Sequence, residues 1–131
     1  MALFPTVAAP LVAWRATPLV EQIIVEGFDL SSATFRLEVR DRRDGGQLRA
    51  GLNNASNGVE GIEVTGVETV NGLPITFIEV RFDQATIDAM PPAPEAGEDI
   101  ELVWGMFIQP VDVPKFMAFD GPFILKASAI S

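Results

Sequence analysis

The sequence predicts an antiparallel β-sandwich. Three observations predict it: short runs of alternating apolar and polar residues recur along the chain, Gly/Asn/Asp clusters separate them, and helical periodicity is almost absent. Each such run can bury one face, and two sheets packed face to face cover all of them. At 131 residues and 14.1 kDa, the chain has the size of one domain that buries roughly two-thirds of the surface its unfolded form exposes. Its 48% hydrophobic residues supply ample core.

The first eighteen residues are expected to form an extended, apolar arm. Pro5, Pro10 and Pro18 break any helix, no basic segment precedes the apolar stretch, and Arg15 interrupts it, so it reads neither as a secretion signal nor as a bilayer span. Leu3, Phe4, Val7, Leu11, Val12 and Trp14 make the arm apolar and need a cover. The arm's own domain or a neighbouring subunit can supply that cover, and the neighbour is the sharper expectation. These six residues are the candidate interface.

Residues 19–131 then read as one sandwich domain. The run LVEQIIV over 19–25 is strand-like, and Glu26 to Asp29 closes it. Phe35, Leu37 and Val39 alternate with Arg36, Glu38 and Arg40, the signature of a half-buried strand. The polar turn 41–46 leads into a hairpin partner in which Leu48, Ala50 and Leu52 share a face. After the turn residues 53–58, a second hairpin pairs 62–70 with 75–82 through Asn71-Gly72, with Ile78, Val80 and Phe82 inward and Phe77, Glu79 and Arg81 outward.

Asp83 is placed to cap one or two helical turns whose Ile87 and Met90 point inward, and Pro91, Pro92 and Pro94 end them. This crossover is expected to link the sheets. Ile100, Leu102, Trp104, Met106 and Ile108 keep period two while Val103 and Phe107 make the other face apolar as well, as in a sheet centre or a covered edge. The last strand runs from about Phe116 to Ala127. About seven strands, one short helical crossover and an N-terminal arm make an immunoglobulin-like sandwich.

Composition narrows the chemistry. There is no cysteine and no histidine, which removes disulfides, thiolate zinc sites, the usual general base and every His-dependent nucleophile. Eighteen acidic residues against nine basic ones give a net charge of -9, which repels nucleic acid and anionic membranes. Arg36, Arg40, Arg42, Arg43 and Arg49 do cluster, with Arg36 and Arg40 on the solvent face of a strand.

Glu98, Asp99 and Glu101, with Asp112 and Asp120, are the carboxylates available for acid-base work, but spacing alone makes no site of them. The acidic turn at 41–46 superficially resembles a calcium loop, with Arg43 standing where a ligand is needed. Asn54-Ala55-Ser56 fits the glycosylation pattern. No phosphate-cradling glycine motif occurs. Trp104 reads as core and Trp14 as interface. Neither catalysis nor any cofactor or metal is expected.

The succession of Phe35 to Arg40 with its polar turn, Ile75 to Val80, and DQATIDAMP over 83–91 resembles the small sandwich domain at the N-terminus of tailed-phage baseplate upper proteins. Residues 99–104 and 119–125 look like that domain's final two strands. The resemblance covers about Leu19 to Lys126. It implies a structural protein of a phage particle. Taken with the arm as a clasp, the expectation is a noncatalytic virion protein, a tail or baseplate adaptor or a capsid-attached component, that docks through its N-terminal arm onto other virion proteins or identical subunits, as a homo-oligomer within an assembly. The proline-rich arm and the lack of a receptor-binding region depart from that group. A second reading, a carbohydrate-binding or adhesin-like module, would use Phe77 and Phe107 as a stacking platform, and the absence of tyrosine speaks against it.

Overall fold

In the computed structural model, which describes residues 7–56, 58–95 and 97–127, the alternating runs become nine strand segments and one short helix. They are β1 (Val7–Ala8), β2 (Leu11–Trp14), β3 (Leu19–Glu26), β4 (Thr34–Arg40), β5 (Leu48–Asn53), β6 (Gly61–Val70), β7 (Leu73–Phe82), α1 (Gln84–Asp88), β8 (Ile100–Gln109) and β9 (Phe116–Lys126). The segments form an all-β fold of two sheets. In the six-stranded sheet β9, β8, β4 and β5 are antiparallel neighbours, and β1 and β2 both pair with the outer side of β9. The three-stranded sheet runs β3-β7-β6, also antiparallel.

The period-two pattern decides which side chains lie between the sheets. Leu37 and Val39 from β4, Met106 and Ile108 from β8, Phe123 and Leu125 from β9, and Ile78, Val80 and Phe82 from β7 are all buried in one cluster. Phe82 and Phe123 meet edge to face across the sheets, with ring centroids 5.6 Å apart, a favoured aromatic geometry.

The connections follow from turn chemistry. Asn71 and Gly72 both take positive φ, 52° and 80°, as the tight β6–β7 hairpin turn requires. The helix α1 carries the chain from β7 of the small sheet to β8 of the large one, and Ile87 and Met90 are buried as expected. Asp83 occupies the N-cap position, yet its side chain makes no capping hydrogen bond. Its carbonyl instead accepts from the amides of Thr86 and Ile87, and its own amide donates to the Glu60 carboxylate at 2.6 Å.

Two polar side chains secure the start of β4. Thr76, completely buried on β7, donates its hydroxyl hydrogen to the Phe28 carbonyl at 2.7 Å and accepts from the Leu30 amide at 3.0 Å. Asn54 accepts from the Phe35 amide at 2.7 Å and donates Nδ2–H to the Ala33 carbonyl at 3.1 Å. The asparagine of the glycosylation pattern therefore has its reactive nitrogen engaged in holding the backbone.

Among the described residues the segments β3–β9 fall within 19–131, and the N-terminal arm adds β1 and β2. One expectation changes. Leu48 is exposed, whereas Ala50 and Leu52 are buried. The β4–β5 ladder slips between Val39 and Arg40, so Leu48 pairs with Arg40 and shares its outward face.

Candidate protein interface

The N-terminal arm reaches its place through backbone pairing. β2 lies parallel to β9, with Leu11, Val12, Ala13 and Trp14 opposite Phe123, Ile124, Leu125 and Lys126. Alternation then splits the strand: Leu11 is 3% exposed in the core, whereas Val12 and Trp14 are 38% and 45% exposed on the outer face. Pro10 interrupts the ladder between β1 and β2, since proline has no amide to offer.

At that break the Ala9 amide donates to the Asp120 carbonyl at 2.8 Å, and the Ala9 carbonyl accepts the Trp104 indole N–H at 2.9 Å. Gly121 makes room, because a Cβ there would collide with the Ala9 carbonyl. At the far end Arg15 donates to the Met90 and Pro91 carbonyls, and the Ala16 amide donates to Asp88 at 2.9 Å. The arm is thus sewn to both β9 and the crossover.

The six candidate residues consequently separate. Leu3 and Phe4 lie outside the described residues. Leu11 belongs to this molecule's own core and offers no surface to a neighbour. Val7, exposed, lines a small apolar recess of about 160 Å3 with Val25, Phe28 and Phe119 at the side of the sandwich. Val12 and Trp14 remain outward, at the edge of the large sheet's outer face. Of the two covers open to the arm, its described part takes its own domain: LVAW matches the pleat of β9, so folding back buries Leu11 and Ala13 and satisfies the backbone within one chain.

Register extends that outer face inward from the edge. Val12 adjoins Ile124, Pro122 adjoins Val103, and Met117 adjoins Phe107, all in the β2–β9–β8 pairing. Ile124, Pro122, Val103, Met117 and Phe107 are half-buried. A shallow groove of about 350 Å3 crosses this face, floored by Val103, Gly105, Phe107 and Met117 and rimmed by Glu38, Arg40, Arg43 and Asp120. The signal in the sequence was the apolar character of both faces of β8; that Pro122 and Ile124 join the band depends on register with β9.

Charge surrounds the band as ion pairs. Glu38 lies between Arg36 at 3.3 Å and Arg40 at 2.8 Å, Arg43 reaches Asp120 at 2.5 Å, and Arg49 reaches Asp41 at 2.6 Å. Burial opposes ionisation of Glu38, but the hydrogen bonds and charges of Arg40 and Arg36 outweigh it, so its carboxyl titrates below the usual range. The Arg49 hydrogen bond likewise lowers Asp41. Lys115 sits 5.3 Å from the Phe107 ring centre and Lys126 5.6 Å from that of Trp14, both in cation-π range.

This arrangement presents apolar side chains bordered by paired charges, a surface suited to binding. Asp99 is paired with Lys126 at 3.2 Å, and Asp120 with Arg43. Among the described residues no group of three or more acidic side chains is placed to hold a metal ion. Phe77 and Phe107 lie on the outward faces of different sheets, Phe77 on β7 and Phe107 on β8, so they cannot form one stacking platform. The chain matches no protein-family model and resembles no curated protein in sequence.

Proposed function

We propose that the protein is a noncatalytic structural component of a phage virion, a tail or baseplate adaptor or a capsid-attached protein. In this reading it docks onto a neighbouring subunit through the outer face of its six-stranded sheet. One observation carries the docking reading: the N-terminal strand completes an apolar band that crosses three strands and leaves Val12 and Trp14 outward at its edge. A tryptophan beside other half-buried apolar side chains is the kind of anchor that dominates binding energy.

The strand order supports the immunoglobulin-like reading. β3-β7-β6 on one side and β9-β8-β4-β5 on the other correspond to the B-E-D and G-F-C-C′ arrangement. The particle assignment rests on the resemblance of Phe35 to Arg40, Ile75 to Val80 and residues 83–91 to the baseplate domain.

Binding of purified particles, or of their separated proteins, to immobilised full-length chain tests the reading. Trp14→Ser should weaken capture at least tenfold while shifting the melting temperature little, because Trp14 is a surface residue. Equal capture by wild type and Trp14→Ser would remove this face from docking. A saturable, sugar-specific signal on a glycan array would replace the structural role with the carbohydrate-binding one.

A further inference from the structure

The two outer faces of the sandwich differ in charge. The β4–β5 hairpin, residues 34–53, holds five arginines. Arg49 is paired with Asp41 and Arg43 with Asp120 of β9, so its local positive excess lies at Arg36 and Arg40, which share Glu38, and at Arg42. The outer face of the small sheet holds Glu26, Glu63, Glu68 and Glu79 with Arg81, and Arg81 is bound to Glu79 at 3.0 Å.

Register arranges the small sheet's outer face in rows. Ile24, Phe77 and Gly66 form an apolar row across β3, β7 and β6. Glu26 and Glu68 flank it on one side, opposite Ile75, while Glu63 and Glu79 flank it on the other. Ile24 is 54% exposed, and Gly66 has open space where a side chain would stand, so the Phe77 ring has bare backbone beside it. An apolar row between carboxylates on one face complements an apolar band beside arginines on the other.

We infer that the occupant of the six-stranded face is a second copy of this chain, presenting the outer face of its three-stranded sheet head to tail. The inference rests on the docking reading and adds the partner and its orientation. Pairing two small-sheet faces with each other is disfavoured, because it would set the four carboxylates Glu26, Glu63, Glu68 and Glu79 against four, with Arg81 alone on each side. A contact joining two different faces repeats from copy to copy, and so builds a ring or a filament.

Two charge-reversed full-length variants test it by light scattering at low salt. One carries Arg42→Glu and Arg43→Glu, both exposed in the β4–β5 loop; the other carries Glu26→Lys and Glu68→Lys, both exposed. Circular dichroism confirms that each is folded. Wild type should exceed 14.1 kDa and fall towards it as salt rises past about 0.5 M. Each variant alone should be monomeric, its self-association weakened at least tenfold. Their equimolar mixture should assemble again, since each intact face then meets an intact partner and each reversed face meets its reversed counterpart.

Three results overturn the inference. A monomeric wild type at every concentration means that the partner is a different protein. A glutamate-to-lysine variant that assembles like wild type while the arginine variant does not means that like faces pair. A mixture that stays monomeric means that the two faces do not meet. All three leave docking through the large sheet standing, because that reading fails only when Trp14→Ser captures particle proteins as wild type does.

Discussion

β2 and β3 are both apolar strands at a sheet edge, four residues apart in sequence, yet the fold holds them very differently. Leu11 and Ala13 of β2 are buried, and the strand's surroundings are fitted to it: Gly121 clears space for Ala9, the Trp104 indole holds the Ala9 carbonyl, and Arg15 anchors the exit. The inward residues Leu19, Ile23 and Val25 of β3 are only half-buried. Between them stands Glu21, paired with Val80 and so on the core side of the pleat, but exposed at the rim. An inward-directed charge at an edge discourages a foreign strand from pairing there. One edge strand is held by packing and the other is guarded by charge.

The largest expected effect breaks the packed edge. Gly121→Ala should displace β1 and β2 and cost about 3 kcal/mol, the upper end for overpacking. Chemical denaturation would register the loss, and hydrogen exchange should show residues 7–14 losing protection before β3 does. Equal protection of both strands would contradict the contrast.

Next comes a matched pair. Leu11→Ala should cost about 2–3 kcal/mol through the cavity it leaves, while Ile24→Ala on β3 should change stability by less than about 0.5 kcal/mol. Similar unfolding midpoints for the two variants would mean that Leu11 is packed no more deeply than a side chain on the outer face. Thr76→Val should cost about 1–2 kcal/mol, since it takes the hydroxyl acceptor from the Leu30 amide beside the end of β3. The loss should appear in denaturation and as faster exchange at Leu30.

The smallest effect is electrostatic and sharpens the contrast from the side of the large sheet. Folding lowers the carboxyl values of Glu38 and Asp41 below their ordinary 4.5 and 3.8. Their stabilisation is therefore complete above those ordinary values and disappears as pH falls from there through the lowered ones. Glu38→Gln should remove less than about 1 kcal/mol at pH 7, because half-exposed ion pairs are screened, and less still at pH 2. Urea midpoints of wild type and variant, compared at both pH values, would show whether the gap closes on acidification.

Much of the sandwich was legible in the sequence because period two is a local property: Phe35 to Arg40, Ile75 to Phe82 and Ile100 to Ile108 declare their buried faces without reference to any partner. Asn71-Gly72 likewise fixes its hairpin through its own positive φ, and the pattern around Ile87 and Met90 announced the crossover helix. Leu48 was misplaced because a slip in the ladder is a relation between two strands and leaves no mark on either one.

The candidate site divides along the same line. Sequence alone determined that the arm is apolar and extended, that β8 is apolar on both faces, and that histidine and cysteine chemistry is absent. Only the tertiary structure decided that the arm's described part lies parallel on β9, taking Leu11 into the core and turning Trp14 outward. It also decided that Val103, Pro122 and Ile124 adjoin, and that Phe77 and Phe107 face away from each other. Side-chain alternation is fixed by the chain's own geometry, whereas adjacency between strands distant in sequence is set by which pairing buries the most apolar surface while satisfying the backbone, and no single segment contains that information.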